Sequence, residues 1–359
     1  MGGAVEKVWF ALGKQFARCG HEVMHISRSL EGWPVSESIG GVQHVRVAGF
    51  DQPRQLALLK LADFIYSLRV RCILPQADIL VTNTFWLPLL VRNERFGRIC
   101  VNVQRTPKGQ MTWYAHVARL TAVSHAIADA ITAEAPQLAN KVRVIGNALP
   151  FDVPAGCAER REKIVLYVGR IHPEKGLEEL VKAAGSLPHG LQDWKVRIVG
   201  PHESRFGGGG VAFLEQLKRA AERSVLKIEW MGAIFDDAEL QRHYETASVF
   251  VYPSTAGAGE ALPVAPLEAM AHCCPALVSN LACFRDYIDD TATGFVFDQK
   301  GGATGSALGR RLAAILQMPA MELRKVGAAA QERVKAFAVQ SIADQYLADF
   351  RSLLADRNA

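Results

Sequence analysis

The chain has 359 residues, 49% of them hydrophobic and 21% charged. That is ordinary globular usage, so it excludes long-range disorder and leaves room for two domains, each with its own core. The formal charge is +5, but the first 150 residues hold 17 Lys/Arg against 10 Asp/Glu and the remainder 24 against 26. The basic half reads either as a solvated face or as a surface that meets phosphate or anionic lipid.

In chain order, apolar residues at Val5, Val8, Trp9, Leu12 and Phe16 have helical spacing, and Gly20 ends that helix. Strands are predicted at 21–27, 42–47, 78–82, 98–103, 120–123 and 142–145, with helices over 54–74, 111–118 and, capped by Ser124, to about 135. Residues 148–162 are rich in Pro, Gly and charge and read as a linker. The pattern then restarts. Strands are predicted at 164–168, 195–199, 226–231, 249–252, 275–278 and 295–297, and helices at 174–184, 211–223, 237–246 and from 264 to 271. Apolar residues at Ile342, Tyr346, Leu347, Phe350, Leu353 and Leu354 mark a last amphipathic helix. Alternating strands and helices imply parallel sheets covered on both faces, so the fold class is α/β: two doubly wound Rossmann-like domains facing across a cleft. The domains are 1–147 and 163–339.

The seven cysteines contain no C-x-x-C pair and several lie in apolar segments. That fits a reducing compartment, where free Cys behaves as a small hydrophobe. With no signal peptide in view and no apolar run of about 18–20 residues, a cytoplasmic protein is expected, at most peripheral to a membrane.

Two segments carry chemistry. In Tyr167-Val-Gly-Arg-Ile-His-Pro-Glu-Lys-Gly176 a strand runs into a helix through Gly169, and Arg170 and Lys175 come from one loop. Two cations beside a helix N-terminus suit a diphosphate, although a basic pair in a loop is also commonly just solvated. In Tyr252-Pro-Ser-Thr-Ala-Gly-Ala-Gly-Glu-Ala-Leu-Pro-Val-Ala-Pro-Leu-Glu-Ala-Met-Ala271 a buried strand leads through a Gly-rich loop to a helix. Glu260 in the loop is placed to accept hydrogen bonds from sugar hydroxyls. Glu268 on the helix, flanked by Leu267 and Ala269, needs a polar partner, because a buried carboxylate is costly alone. A ribose diol would serve. The bland alternative is one capping and one surface glutamate.

E-x7-E followed by A-M-A, with G-R-x-x-x-E-K-G upstream, resembles family four of the glycosyltransferases. The segments G-G-A-V-E, L-G-K-Q-F-A-R-C-G-H-E-V, N-A-L, V-G-P, A-S-V-F-V-Y-P-S and T-G-F-V-F stand in the family's order, so the resemblance covers nearly the whole chain. It implies the GT-B fold, with the final helix (340–356) crossing back onto the first domain. It implies that Arg170 and Lys175 hold the donor diphosphate, that Glu260 contacts the transferred sugar and Glu268 the ribose, and that backbone at Gly169, Gly232, Ile234, Leu262 and Val264 lines the donor. Gly3 would sit by the phosphate or acceptor. The implied reaction is retaining and front-face, from a UDP- or GDP-sugar to a saccharide or lipid-linked hydroxyl, with no cofactor and no metal. The basic half would touch an anionic membrane, and no nucleic acid is expected. A catalytically silent nucleotide-sugar-binding protein is the alternative.

Three departures from the family pattern stand out. The family's first strand has no counterpart after Met1, so lower stability and poor turnover are expected. Gln104, Arg105 and Thr106 stand where the family carries a His, and His172 and His116 are the nearest other histidine candidates, the latter structural. Ala261-Leu262-Pro263 replaces Gly-Phe-Gly, and Pro263 offers no N–H.

Overall fold

A computed structural model describes residues 4–50, 55–92, 94–257, 259–299 and 304–355. Gly3, expected near the phosphate, lies outside the described residues. The chain divides into two compact units, one running through Phe151 and resuming at Phe337, the other Asp152–Ala336.

The first unit runs α1 (Ala4–Arg18), β1 (Val23–Arg28), β2 (Ser36–Ile39), β3 (Val42–Val47), α2 (Leu56–Ile73), β4 (Ile79–Thr82), α3 (Leu87–Leu90), β5 (Arg98–Val103), β6 (Arg119–Ala122), α4 (His125–Glu134) and β7 (Val142–Val144). Val8, Leu12 and Phe16 are buried along one stripe of α1, as an i, i+4, i+8 spacing requires. The Ser124 hydroxyl accepts the Ile127 N–H and caps α4. Its strands form two sheets, ordered β1-β3-β2 and β4-β5-β6-β7. Apart from β2, antiparallel to β3, the pairing is parallel. Among the described residues no strand joins β1 to β4, and the parallel strands alternating with helices make this unit Rossmann-like. The helix expected over 111–118 is a single tight turn, Met111–Tyr114. His116 beyond it lies 2.6 Å from the Pro88 carbonyl through Nε2, a structural place.

The second unit runs β8 (Glu162–Val168), α5 (Leu177–Gly185), β9 (Lys195–Val199), α6 (Gly210–Ala221), β10 (Lys227–Gly232), α7 (Asp237–Thr246), β11 (Ala247–Tyr252), α8 (Val264–Ala271), β12 (Ala276–Ser279), β13 (Phe295–Phe297), α9 (Thr304–Leu316) and α10 (Ala320–Val334). Its sheet is wholly parallel, in the order β10-β9-β8-β11-β12-β13. Counted within the unit this is 3-2-1-4-5-6, the dinucleotide-fold order, whose direction reverses between β8 and β11. The two strands are apolar and buried (Ile164, Val165, Leu166, Tyr167; Val249, Phe250, Val251), as strands covered on both faces must be.

The last helix, α11 (Val339–Ala355), packs in the first unit. Tyr346 accepts a hydrogen bond from Asn102 of β5 at 3.0 Å, Asp349 pairs with Arg119 of β6 at 2.8 Å, and Phe16 of α1 meets the rings of Tyr346 and Phe350.

Two of the seven cysteines, expected as free thiols, are paired. Cys157 and Cys273 form a disulfide across 116 residues of sequence. Spacing rules look for near neighbours, and only the fold brings these two together. Cys100, Cys274 and Cys283 do behave as small hydrophobes, burial pushing each thiol up to about 12.

Candidate functional site: a carboxylate–lysine pair at the sheet reversal

The point where strand order reverses in a parallel sheet leaves a crevice outside the carboxyl ends of the strands. The segments after β8 and β11, the two that carry the sequence motifs, both emerge there.

After β8 the chain makes a short turn, Pro173–Lys175, whose first N–H, that of Glu174, donates to the His172 ring at 3.4 Å. Gly176 then closes the turn at φ 71°, and a Cβ there would lie 2.0 Å from the Pro253 carbonyl oxygen. Only glycine fits this left-handed, crowded position. The helix therefore starts at Leu177, not at Glu174, and Lys175 belongs to the turn. The segment after β11 is laced to this turn. The Thr255 N–H and the Thr255 hydroxyl both donate to the Glu174 carbonyl, at 3.0 and 3.2 Å.

This lacing brings Lys175 to Glu260. The Lys175 ammonium lies 2.5 Å from Glu260 Oε1, and both side chains are less than a tenth exposed. The same oxygen accepts from the Ser254 hydroxyl at 2.7 Å and the Tyr252 hydroxyl at 3.2 Å. Burial, with Glu260 beside it, pushes the Tyr252 hydroxyl well above its ordinary value, so it stays a proton donor. A carboxylate with one cation and two hydroxyl donors is satisfied where it stands. Glu260, the residue expected to contact the transferred sugar, thus has its Oε1 taken up by three donors of the protein. Arg170 and Lys175, expected to hold the diphosphate together, come from one loop but differ in setting. Arg170 is two-fifths exposed. Its guanidinium donates to Glu174 at 2.6 Å and to the Gly207 carbonyl at 2.6 Å.

Along the carboxyl edge the strands end in glycines. The Gly169 N–H donates to the Val199 carbonyl and the Gly200 N–H to the Gly232 carbonyl. A Cβ on Gly200 would stand 1.9 Å from the Gly169 carbonyl oxygen. Gly232 ends β10, and Ile234 follows on the loop after it. Gly200 was not singled out by its sequence. The V-G-P context held the signal, but only the register showed its partner.

Glu268 stands five residues into α8, which opens at Pro263 with Val264 first and Leu262 buried just before it. It is half-buried, and the fully buried Tyr244 of α7 donates its hydroxyl to Oε2 at 2.7 Å. So the polar partner that an apolar setting demands is in part protein, and Tyr244 holds the carboxylate in orientation. Tyr244, Tyr252 and Ser254 are site residues that the sequence did not announce, because tyrosines and a serine beside an apolar strand read as core. Among the described residues no group of three or more His, Cys, Asp or Glu is arranged to hold a metal.

With this geometry in hand, comparisons decide the family. Residues 156–333 match the model of glycosyl transferases group 1. The chain belongs, through this domain, to the group 1 glycosyltransferases. Among curated relatives it is 28% identical over 220 residues to a phosphatidyl-myo-inositol mannosyltransferase of Mycobacterium leprae, covering 61% of this chain and 54% of that one. It is also 28% identical over 175 residues to a D-inositol 3-phosphate glycosyltransferase of Streptomyces scabiei, covering 48% and 38%. The chain thus spans about half or less of the length of the curated relatives it matches. Among solved structures it resembles sucrose-phosphate synthase from Thermosynechococcus elongatus, with TM-score 0.78 at 20% identity over 96% of this chain and 92% of that one. It also resembles Anabaena HepE in complex with UDP and glucose, with TM-score 0.74 at 15% identity over 98% and 97%. This group 1 glycosyltransferase has the GT-B fold that its structural neighbours share.

Proposed function

We propose that the protein transfers a sugar from a nucleoside-diphosphate sugar, UDP- or GDP-linked, to a hydroxyl of a saccharide or lipid-linked acceptor, with retention at the anomeric carbon and without a metal. The observation that carries this reading is the buried Lys175–Glu260 pair at the strand reversal, with Arg170 and Glu268 supplied from the loop and helix beside it. The anionic acceptors in the names of two relatives, a phosphatidyl-inositol and an inositol phosphate, agree with the basic first half.

In this reading Glu268, oriented by Tyr244, accepts the ribose hydroxyls. Arg170 exchanges the Gly207 carbonyl for the diphosphate, and Lys175 adds a second positive charge from behind, shared with Glu260. As the bond from the anomeric carbon to the diphosphate oxygen breaks, these cations stabilise the growing charge. The acceptor oxygen bonds to the same face of the carbon. Its proton passes to the departing phosphate oxygen. The protein contributes orientation and fixed charge and forms no bond to the sugar. Without a metal ion the two cations would balance the diphosphate.

The test is slow donor hydrolysis in the absence of acceptor. With UDP- and GDP-sugars of α configuration and EDTA present, NMR should show the α sugar as the first product. A β sugar as first product would remove retention, and activity that EDTA abolishes would remove metal independence. Donor binding without transfer or hydrolysis would favour the catalytically silent alternative.

A further inference from the structure

The helix that carries Glu268 ends on a cysteine in a place that suits glycine. After α8 the Cys273 N–H donates to the Met270 carbonyl and the Cys274 N–H to the Ala269 carbonyl, both at 2.9 Å. This pair of bonds closes a helix when the residue just past its end turns left-handed, and glycine ordinarily takes that position. Here it is Cys273, at φ 55°. Among the described residues Thr291 alone shares a positive φ without being glycine. A side chain in that region crowds its own backbone, so the surroundings must hold it there. On one side α10 does so: a Cβ on Gly327 would stand 2.2 Å from the Cys273 carbonyl oxygen.

On the other side it is held by the segment 152–161. Cys157, exposed in that segment, is bonded to Cys273, which is buried. Gln331 of α10 donates from its amide to the Pro154 and Gly156 carbonyls of the segment and to the Ala271 carbonyl of α8, at 3.1, 3.1 and 2.8 Å. Arg161 donates to the Tyr244 carbonyl at 3.0 Å and to the His272 carbonyl. From this end of α8 contacts run back to Glu268. The His272 N–H donates to the Glu268 carbonyl at 3.3 Å. The His272 ring stacks on Tyr244, with 5.8 Å between centroids and 4° between planes, and the Tyr244 hydroxyl orients the Glu268 carboxylate. Cys273, His272, Tyr244 and Glu268 thus form one chain of contacts with a covalent bond at its end.

We propose that the Cys157–Cys273 bond is a redox control on nucleotide binding: closed, it fixes the left-handed end of α8 and with it Glu268; opened by a dithiol, it releases both. The inference rests on the reading of Glu268 as the acceptor of the ribose hydroxyls. A thiolate of the dithiol attacks the exposed Cys157 sulfur, and Cys273 leaves as a thiolate that takes up a proton. The second thiolate of the dithiol then attacks the reductant's own sulfur in the mixed disulfide and frees Cys157. Two electrons and two protons pass from the dithiol to the protein, and the dithiol closes to a disulfide. Cys274, next in the chain, stays out of the exchange, because it is buried and burial pushes its thiol up to about 12. With the bond open, Cys273 relaxes from its left-handed conformation, the capping bonds loosen, and Glu268 loses its place against Tyr244. Arg170 and Lys175 stand on another loop and keep theirs.

The experiment is calorimetric titration of the whole chain with UDP, GDP and inorganic pyrophosphate, in the oxidised state and after dithiothreitol, with a thiol count to confirm that the bond has opened. Cys157→Ser, Cys273→Gly and Glu268→Ala are run in parallel, and circular dichroism follows the fold. The expected result is UDP or GDP binding about three- to tenfold weaker after reduction, as for the loss of one hydrogen bond, with pyrophosphate binding unchanged and nucleotide binding recovered on reoxidation. Cys157→Ser should bind as the reduced wild type does. Cys273→Gly takes the left-handed conformation without the bond. It should bind like the oxidised wild type and ignore dithiothreitol, and it carries the test where the reduced wild type does not stay folded. Three results overturn the proposal while Glu268→Ala still binds weakly: equal nucleotide binding before and after reduction, Cys273→Gly as weak as Cys157→Ser, or nucleotide and pyrophosphate weakened alike, which makes the bond a general brace. If the oxidised chain binds neither nucleotide, or Glu268→Ala binds as well as the wild type, the donor reading fails and the proposal with it.

Discussion

Lys175 and Glu260, 85 residues apart in sequence, form an ion pair of 2.5 Å buried at the strand reversal of the second unit. Neither is replaceable singly. Lys175→Met leaves the Glu260 carboxylate buried with only two hydroxyl donors, and breaking a buried pair from one side costs about 3–5 kcal/mol. Urea unfolding of Lys175→Met should show a loss of that size, and the double variant Lys175→Met/Glu260→Gln should recover much of it. An equal loss in the double variant would mean that the pair is not what holds the two loops.

Tyr244 donates to Glu268, so the two should act on the donor in series. Glu268→Ala should weaken donor binding by tenfold or more, about the 1.5–3 kcal/mol of hydrogen bonds to a charged group. Tyr244→Phe should weaken it less, and add nothing in the Glu268→Ala background. Calorimetric titration of the three variants checks this, additivity being the contrary result.

A Cβ at position 176 would sit 2.0 Å from the Pro253 carbonyl, with φ already at 71°. Gly176→Ala should therefore push the Lys175 turn away from the segment that carries Ser254. The expected result is a lowered thermal midpoint together with weaker diphosphate binding. A variant that binds UDP and GDP as tightly as wild type would show the lacing to be incidental.

His272 is buried beside Arg161, and burial first, then that charge, lowers its pKa from 6.5 to about 4. The folded state thus prefers the neutral ring. Above pH 6.5 both states are neutral and nothing is lost. As pH falls from 6.5 toward 4 the unfolded chain takes up the proton and the folded one does not, so stability drops by up to about 3 kcal/mol. His272→Phe should flatten this part of the stability–pH curve. Parallel curves for wild type and variant between pH 7 and 4.5 would contradict it.

The Cys157–Cys273 disulfide closes a long loop and restricts the unfolded chain. Its loss should cost about 2–4 kcal/mol. Unfolding midpoints of Cys157→Ser, and of the wild type with and without reductant, measure this. A wild type insensitive to reductant would mean that the thiols are unbonded in solution.

Much of the second unit was legible because its strands are continuous apolar runs between turn residues, a pattern that Ile164–Val168 and Val249–Tyr252 display plainly. The site was legible as a set of positions but not as a set of contacts. Arg170 and Lys175 look alike in sequence. One is exposed and reaches a carbonyl, the other is buried on a carboxylate, and that difference arises from Gly176 and the Pro253–Thr255 segment, far away in the chain. Glu268 asked for a partner, but Tyr244 reads as a core aromatic until α7 is laid beside α8. In the first unit, β2 (Ser36–Ile39) is short and polar, and its Ser-Glu-Ser-Ile carries no strand signal. It pairs because β3 offers an edge. The long pairing of Cys157 with Cys273 was invisible for the same reason.

The central claim, a nucleoside-diphosphate-sugar site built on the Lys175–Glu260 pair and Glu268, is tested most directly by one calorimetric series. UDP-, GDP- and ADP-sugars are titrated into the wild type and into Glu268→Ala. The account predicts saturable, EDTA-insensitive binding of a UDP- or GDP-sugar by the wild type and at least a tenfold weaker constant for the variant. Binding of none of the three, or equal binding by both proteins, would contradict it.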